Sequence, residues 1–66
     1  MKILVIEDEP DIRKNLEYNL AREGFAVSGA ASISEAESNL SMQNFNLVLL
    51  DLMLHMFYTS QKMVMI

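Results

Sequence analysis

The apolar residues of this chain form continuous runs that are separated by segments with helical spacing. The runs Ile3–Ile6 and Leu47–Leu50 contain no polar residue, which is typical of parallel strands buried on both faces. The segment Phe25–Ala30 is short and alternates loosely between apolar and small or polar residues, which indicates a further strand. We therefore predict strands over residues 2–6, 25–30 and 47–50.

The segment after the first strand has the pattern of an amphipathic helix. Ile12, Leu16 and Leu20 recur every four residues and form one apolar stripe. Pro10 suits the first position of a helix, and Gly24 suits the left-handed residue that follows a helix end. This pattern predicts a helix from about residue 10 to residue 23.

A second helix is predicted between the second and third strands. Ser32 and Glu35 have the spacing of a capping box, in which each side chain accepts a hydrogen bond from the other end of the first turn. The helix is expected to end near Gln43 or Asn44. Its apolar stripe consists of Ile33, Ala36 and Leu40.

The order of these elements is strand, helix, strand, helix, strand. Strands that alternate with helices of this length form right-handed βαβ units around a parallel sheet. The fold class predicted from the pattern is therefore α/β.

Composition and charge restrict the classes of function. The chain has 66 residues, of which 52% are apolar, and a formal net charge of −4. The apolar content excludes a disordered tail, and the acidic balance argues against a nucleic-acid-binding surface. The chain has no cysteine, and we expect no signal peptide, because its first residues lack a long apolar region and a small-residue cleavage site. Its longest apolar stretch is too short and too interrupted to span a bilayer. We therefore expect a cytoplasmic protein that does not contact a membrane.

Three carboxylates follow two of the predicted strands. Glu7 and Asp8 come directly after the first strand, and Asp51 comes directly after the third. Parallel strands end at the same edge of a sheet, and neighbouring strands lie about 4.8 Å apart. If the first and third strands are neighbours, the three carboxylates are close enough to share one ion. Mg²⁺ prefers such oxygen ligands, and a carboxylate beside it can attack phosphorus.

A purely structural interpretation of these acids competes with the metal site. Acidic residues just after a strand commonly cap the next helix and favour the positive end of its dipole. This interpretation suits Glu7 or Asp8 taken singly. It suits Asp51 less well, because Leu50 and Leu52 flank it and burying a lone carboxylate is costly.

Two segments of the chain resemble the receiver domain of two-component response regulators. They are Lys2–Pro10 (KILVIEDEP) and Leu47–Leu54 (LVLLDLML), and the resemblance covers residues 1–54. It implies a partial doubly wound, flavodoxin-like sheet with strand order 2-1-3. The string Asp51–Leu54 is most similar to members that carry a C-terminal winged-helix DNA-binding domain.

The resemblance also implies roles for individual residues. Asp51 would be the phosphoacceptor, and a sensor histidine kinase would be the phosphodonor. Asp8 would bind Mg²⁺ directly, and Glu7 would bind it through water. Met53 would supply a backbone carbonyl to the metal.

Residues 55–66 depart from the family pattern. His55 occupies the position where the family usually has proline, and no glycine follows it. The family's fourth strand ends in Ser or Thr and its fifth in Lys, but the tail residues of these types have the wrong spacing for either role. These residues are Thr59, Ser60 and Lys62. We therefore expect the N-terminal half of a receiver domain over residues 1–54 and an irregular non-family tail over 55–66, with impaired phosphoryl transfer.

The tail and the partners leave alternatives open. A short helix from about Leu54 and a terminal strand over Lys62–Ile66 are both compatible with the sequence. A sheet of three strands would expose the edge of the third strand, so we predict either a homodimer through that edge or a fourth strand formed by Met63–Ile66. The alternative to a phosphoacceptor module is a remnant that is not phosphorylated and binds a kinase as a decoy. We do not expect an enzyme. A phosphohydrolase would need a second acid shortly after Asp51, and residues 52–66 contain none.

Overall fold

The computed structural model describes residues 1–50 and the strand at residues 63–65. Within this part of the chain, strands and helices alternate as predicted up to residue 50. The elements are β1 (Lys2–Ile6), α1 (Pro10–Arg22), β2 (Ala26–Ala30), α2 (Ile33–Met42), β3 (Leu47–Leu50) and β4 (Met63–Met65).

The described strands form one parallel sheet in the order β2-β1-β3-β4. The predicted order 2-1-3 and the partial flavodoxin-like α/β fold are therefore confirmed. The register pairs Ile6 of the central strand β1 with Ala30 of β2 and with Leu50 of β3. β1, β2 and β3 consequently have their carboxyl ends at the same side of the sheet.

The two helices cover opposite faces of the sheet. On one face Leu4 and Ile6 pack with Val48 and Leu50 in a core that also includes Ala36 of α2. Successive residues of a strand point to opposite faces, so Ile3 and Val5 lie on the α1 side, and both are fully buried. Because β1 is buried on both sides, its direction and its end point are set by the core.

Helix α1 has the caps that its sequence predicts, but its apolar stripe is less buried than expected. Gly24 has a φ of +97°, and the amide groups of Gly24 and Phe25 donate to carbonyl groups of the last helical turn, as in a Schellman motif. Ile12, the first residue of the stripe, is 46% exposed. The stripe drifts around the helix, so Leu16 and Leu20 remain half-buried while Ile12 lies at the helix start, outside the packed region.

Helix α2 begins with the predicted capping pair. The hydroxyl of Ser32 accepts a hydrogen bond from the Glu35 amide at 3.1 Å. The Glu35 carboxylate accepts from the Ala31 amide at 3.0 Å, one residue before the cap. Two amide groups of the helix start are thereby satisfied by side chains.

The capping interaction gives a direct stability prediction. We expect Ser32→Ala to lower the free energy of unfolding by about 1 kcal/mol, because the Glu35 amide loses its acceptor. Chemical denaturation followed by circular dichroism measures this loss. Ser34→Ala is the matched control, since Ser34 lies exposed in the first turn of the same helix. Equal losses in the two variants would show that the hydroxyl of Ser32 has no capping role.

A polar clamp at the start of β3 sets how this strand lies against β1. The Asn46 side chain accepts from the Lys2 amide at 2.8 Å, and the Asn46 amide donates to the Lys2 carbonyl at 2.8 Å. The Lys2 ammonium group donates to the Gln43 side chain at 2.8 Å. This clamp was not anticipated, because its partners are more than forty residues apart in sequence.

The tail includes a strand, so the prediction that it is irregular was wrong in this respect. β4 (Met63–Met65) pairs in parallel with β3, which confirms the predicted fourth strand. It occupies the edge of β3 through which a homodimer was expected, and the homodimer stays a prediction. The alternative helix from about Leu54 lies outside the described residues. Neither described helix is long and apolar enough to cross a bilayer.

Candidate functional site

Glu7 directly follows the central strand β1, and it is buried. Its side chain is only 4% exposed, and it is the single buried charged residue in the described ranges. Its amide donates to the Ala30 carbonyl at 3.0 Å, so β2 holds its backbone. Its carboxylate accepts from the Glu9 amide at 3.3 Å. A buried carboxylate is costly unless hydrogen bonds or a cation compensate it, and such a group commonly has a function.

The next two acids, Asp8 and Glu9, differ in their surroundings and in their contacts. Glu9 is the N-cap of α1, and its carboxylate accepts from the Ile12 amide at 3.1 Å. Capping therefore falls to Glu9 and accounts for neither Glu7 nor Asp8. Asp8 is exposed and lies between the buried acid and the capping acid.

Arg13 of α1 reaches back to the loop that carries these acids, which we call the acid loop (residues 7–9). Its guanidinium Nη1 donates to the Glu7 carbonyl at 2.8 Å. Its Nε lies 3.8 Å from the carboxylate of Glu17, one helical turn further on. The Arg13 side chain is only 19% exposed. The spacing of four residues between Arg13 and Glu17 was the available signal for this ion pair.

The predicted site residues are described only in part. Glu7 and Asp8 are adjacent at the end of β1, while Asp51 and Met53 lie outside the described residues. Leu50, which precedes Asp51, is paired with Ile6, which precedes Glu7. Within residues 1–50 and 63–65 no group of three or more His, Cys, Asp or Glu residues is arranged to hold a metal. The predicted set takes its third carboxylate from Asp51, which explains this finding.

The chemistry of the described donors fits a hard divalent cation. Glu7 and Asp8 offer only oxygen atoms, which Mg²⁺ prefers over nitrogen and sulfur. Mg²⁺ is usually held by one or two carboxylates together with water and phosphate oxygens. One buried and one exposed carboxylate directly after β1 are compatible with that ligand set.

Comparison with known proteins identifies the family. The model of the response regulator receiver domain matches residues 3–57. The chain is 49% identical to the probable transcriptional regulator ycf27 of Porphyridium aerugineum and 43% identical to the transcriptional regulatory protein ResD of Bacillus subtilis, each over 53 residues. It is 40% identical to the response regulator protein PilR of Pseudomonas aeruginosa over 53 residues.

These matches cover 80% of this chain but only 22%, 22% and 12% of the three relatives, respectively. A solved structure is also similar, that of the response regulator TrrA from Thermotoga maritima in complex with Mg²⁺ and BeF. Its TM-score is 0.73 at 39% identity, and the match covers 77% of this chain and 44% of that one. The fold, the acid loop at the end of β1 and the family match agree, and the chain belongs to the response regulator receiver domain family.

Proposed function

We propose that this chain is a phosphoacceptor module that receives a phosphoryl group on Asp51 from a sensor histidine kinase. The observation that carries the proposal is the buried carboxylate of Glu7, which lies with Asp8 at the end of β1. Ile6, which precedes the acid loop in sequence, is paired with Leu50, which precedes Asp51.

The residues would divide the work as follows. A carboxylate oxygen of Asp51 attacks phosphorus, so a phosphorus–oxygen bond forms while the phosphorus–nitrogen bond of the kinase phosphohistidine breaks. The electron pair returns to the imidazole nitrogen, which then takes up a proton. Asp8 would hold Mg²⁺ directly, Glu7 through water and Met53 through its carbonyl. When bound, Mg²⁺ offsets the negative charge on the transferring group.

The burial of Glu7 favours a role in shaping the site over a role in helix capping. Its carboxylate is held by the Glu9 amide, so the position of this charge is defined before a cation arrives. Asp8 remains accessible from solvent, as a direct ligand of an incoming cation must be. The similar TrrA structure is a complex with Mg²⁺ and BeF, which supports Mg²⁺ as the cation here.

The proposal includes the finer expectations from the sequence. The chain would act stoichiometrically as a phosphoacceptor in the cytoplasm, not as an enzyme. Its phosphorylation would be impaired. The family contacts the phosphoryl group through a Ser or Thr and a Lys, and Thr59, Ser60 and Lys62 do not have the spacing of those residues.

Mg²⁺ binding is the first test of the proposed function. We expect millimolar Mg²⁺ to raise the melting temperature of the full chain, because a ligand that binds only the folded state stabilises it. The gain is about 1.4 kcal/mol when the cation is at tenfold excess over its Kd. Asp8→Ala should remove this gain. Thermal denaturation followed by circular dichroism, with and without Mg²⁺, measures it.

Asp11→Ala is the matched control for this experiment. Asp11 is an exposed acid in the first turn of α1, so its loss changes the net charge equally and weakens the helix start slightly. Its Mg²⁺-dependent gain should persist. The same gain in wild type and Asp8→Ala would contradict the proposed metal site.

A further inference from the structure

Arg13 connects helix α1 to the acid loop. It belongs to α1, it donates to the Glu7 carbonyl at 2.8 Å, and it lies 3.8 Å from the Glu17 carboxylate. We propose that Arg13 is a positioning residue for the Glu7–Asp8 pair, held in place by Glu17 over Gly29. This inference rests on the proposed function, because the pair is taken to bind Mg²⁺.

The hydrogen bond acts on the peptide group that links the two acids. The Glu7 carbonyl and the Asp8 amide belong to one planar unit, which includes the α-carbons of both residues. Rotation of that plane would redirect both side chains together. A donor that holds the carbonyl therefore restrains the relative orientation of the buried acid and the exposed acid.

The geometry requires a guanidinium group. Two different nitrogen atoms of Arg13 face two different oxygen atoms, Nη1 toward the Glu7 carbonyl and Nε toward Glu17. Lysine carries its donors on one nitrogen atom and cannot reproduce this fixed fork. At 19% exposure, the Arg13 side chain is also more restrained than a solvated arginine.

Gly29 of β2 provides the space in which Glu17 lies. A β-carbon at this position would overlap the Glu17 carboxylate and would come within 3.3 Å of Cδ of Arg13. Gly29 pairs with Val5 of β1, and the Glu17 and Arg13 side chains of α1 come close to β2 there. A methyl group would displace the flexible end of Glu17 at little cost in stability, and with it the partner of Arg13.

The positive charge of Arg13 and its hydrogen bond to the Glu7 carbonyl predict opposite effects of its replacement on Mg²⁺ affinity. Removal of a positive charge near a cation site would by itself strengthen Mg²⁺ binding. Loss of the hydrogen bond to the Glu7 carbonyl would weaken it. Outer contacts that orient metal ligands typically contribute 10- to 100-fold in metal affinity, so we expect the positional effect to dominate.

The experiment is isothermal titration of Mg²⁺ into the full chain and its variants. We expect Arg13→Met to weaken binding about tenfold, at the low end of the range for such contacts. Arg13→Lys should weaken it as well, although the charge is kept. Gly29→Ala should weaken it to a smaller extent. Lys14→Met is the matched control, because this exposed neighbour carries the same charge, and its Mg²⁺ affinity should be unchanged or slightly higher.

A second measurement reports on position without Mg²⁺. The carbonyl ¹³C shift of Glu7 should move in Arg13→Met and in Gly29→Ala but not in Lys14→Met. This shift responds to the hydrogen bond and is read on chains whose circular dichroism shows that they are folded. A structural role of Arg13 elsewhere in α1 would leave it unchanged.

The outcomes separate the two claims. A wild-type chain that binds no Mg²⁺ would overturn the proposed function, and the inference that rests on it. Binding by wild type that is lost in Asp8→Ala but equal or tighter in Arg13→Met would overturn the positioning role alone. Weaker Mg²⁺ binding in both Arg13 variants, together with a changed carbonyl ¹³C shift of Glu7, would establish the positioning role of Arg13.

Discussion

Asp51→Asn is expected to abolish phosphorylation of this chain by a small phosphodonor such as acetyl phosphate. An amide oxygen is a poor nucleophile, so the variant retains the size of the side chain and loses the group that forms the acyl phosphate. Intact-protein mass spectrometry in the presence of Mg²⁺ measures the gain of one phosphoryl group. The wild-type chain should show this gain.

The control for this prediction is Asp11→Asn, which makes the same chemical change at an exposed position on α1. It should be phosphorylated at the wild-type rate. Phosphorylation of Asp51→Asn at an unchanged rate would assign the phosphoacceptor to another residue. Absence of phosphorylation in the wild-type chain, with Mg²⁺ binding intact, would favour the alternative of a kinase-binding decoy.

The second large effect is expected from the core. Leu4 is fully buried in the central strand and packs on the α2 side of the sheet. Leu4→Ala should cost about 2–5 kcal/mol, from lost burial and the cavity that remains. At about 0.05–0.15 kcal/mol per residue, a chain of this length has a total stability of roughly 3–10 kcal/mol. We therefore expect the variant to lose a large fraction of the stability of the chain and to unfold at a much lower urea concentration.

Urea denaturation followed by circular dichroism checks this prediction. Met42→Ala is the control, because Met42 is 76% exposed at the end of α2 and truncation there should change stability little. Similar midpoints for the two variants would contradict a core organised around β1.

Local sequence patterns were sufficient to predict most elements, for reasons visible in particular residues. A continuous apolar run marks β1 and β3, because a strand buried on both faces has no polar side. Gly24 marks the end of α1, because its left-handed backbone is costly for other residues. Ser32 marks the start of α2, because its hydroxyl accepts from the Glu35 amide.

The sequence pattern was less informative about the depth to which a helix face is buried. Ile12 belongs to the apolar stripe of α1 but is 46% exposed. Burial depends on where the helix crosses the sheet, and that crossing is close at Gly29, opposite Glu17 and Arg13. A stripe calculated from spacing alone assumes contact along the whole helix.

The sequence identified the acids of the site by their type and by their position after a strand. It did not distinguish their separate roles. Glu7, Asp8 and Glu9 are three consecutive acids, and any of them could be the helix cap on sequence grounds. The direction in which the chain leaves β1 buries Glu7, exposes Asp8 and aims Glu9 at the Ile12 amide. The role of Arg13 was not predicted from the sequence, since its partner is a backbone carbonyl six residues earlier.

By itself, the sequence determined the type and order of the elements, the family resemblance and the residues that offer oxygen ligands, because these depend on side-chain chemistry and short-range spacing. Only the tertiary structure decided that β4 covers the edge of β3, that the Asn46 clamp sets the register, and that Arg13 holds the acid loop. These features join residues through backbone groups, which are the same at every position. A pattern of side chains therefore cannot specify them until the packing of the helices and strands brings the partners together.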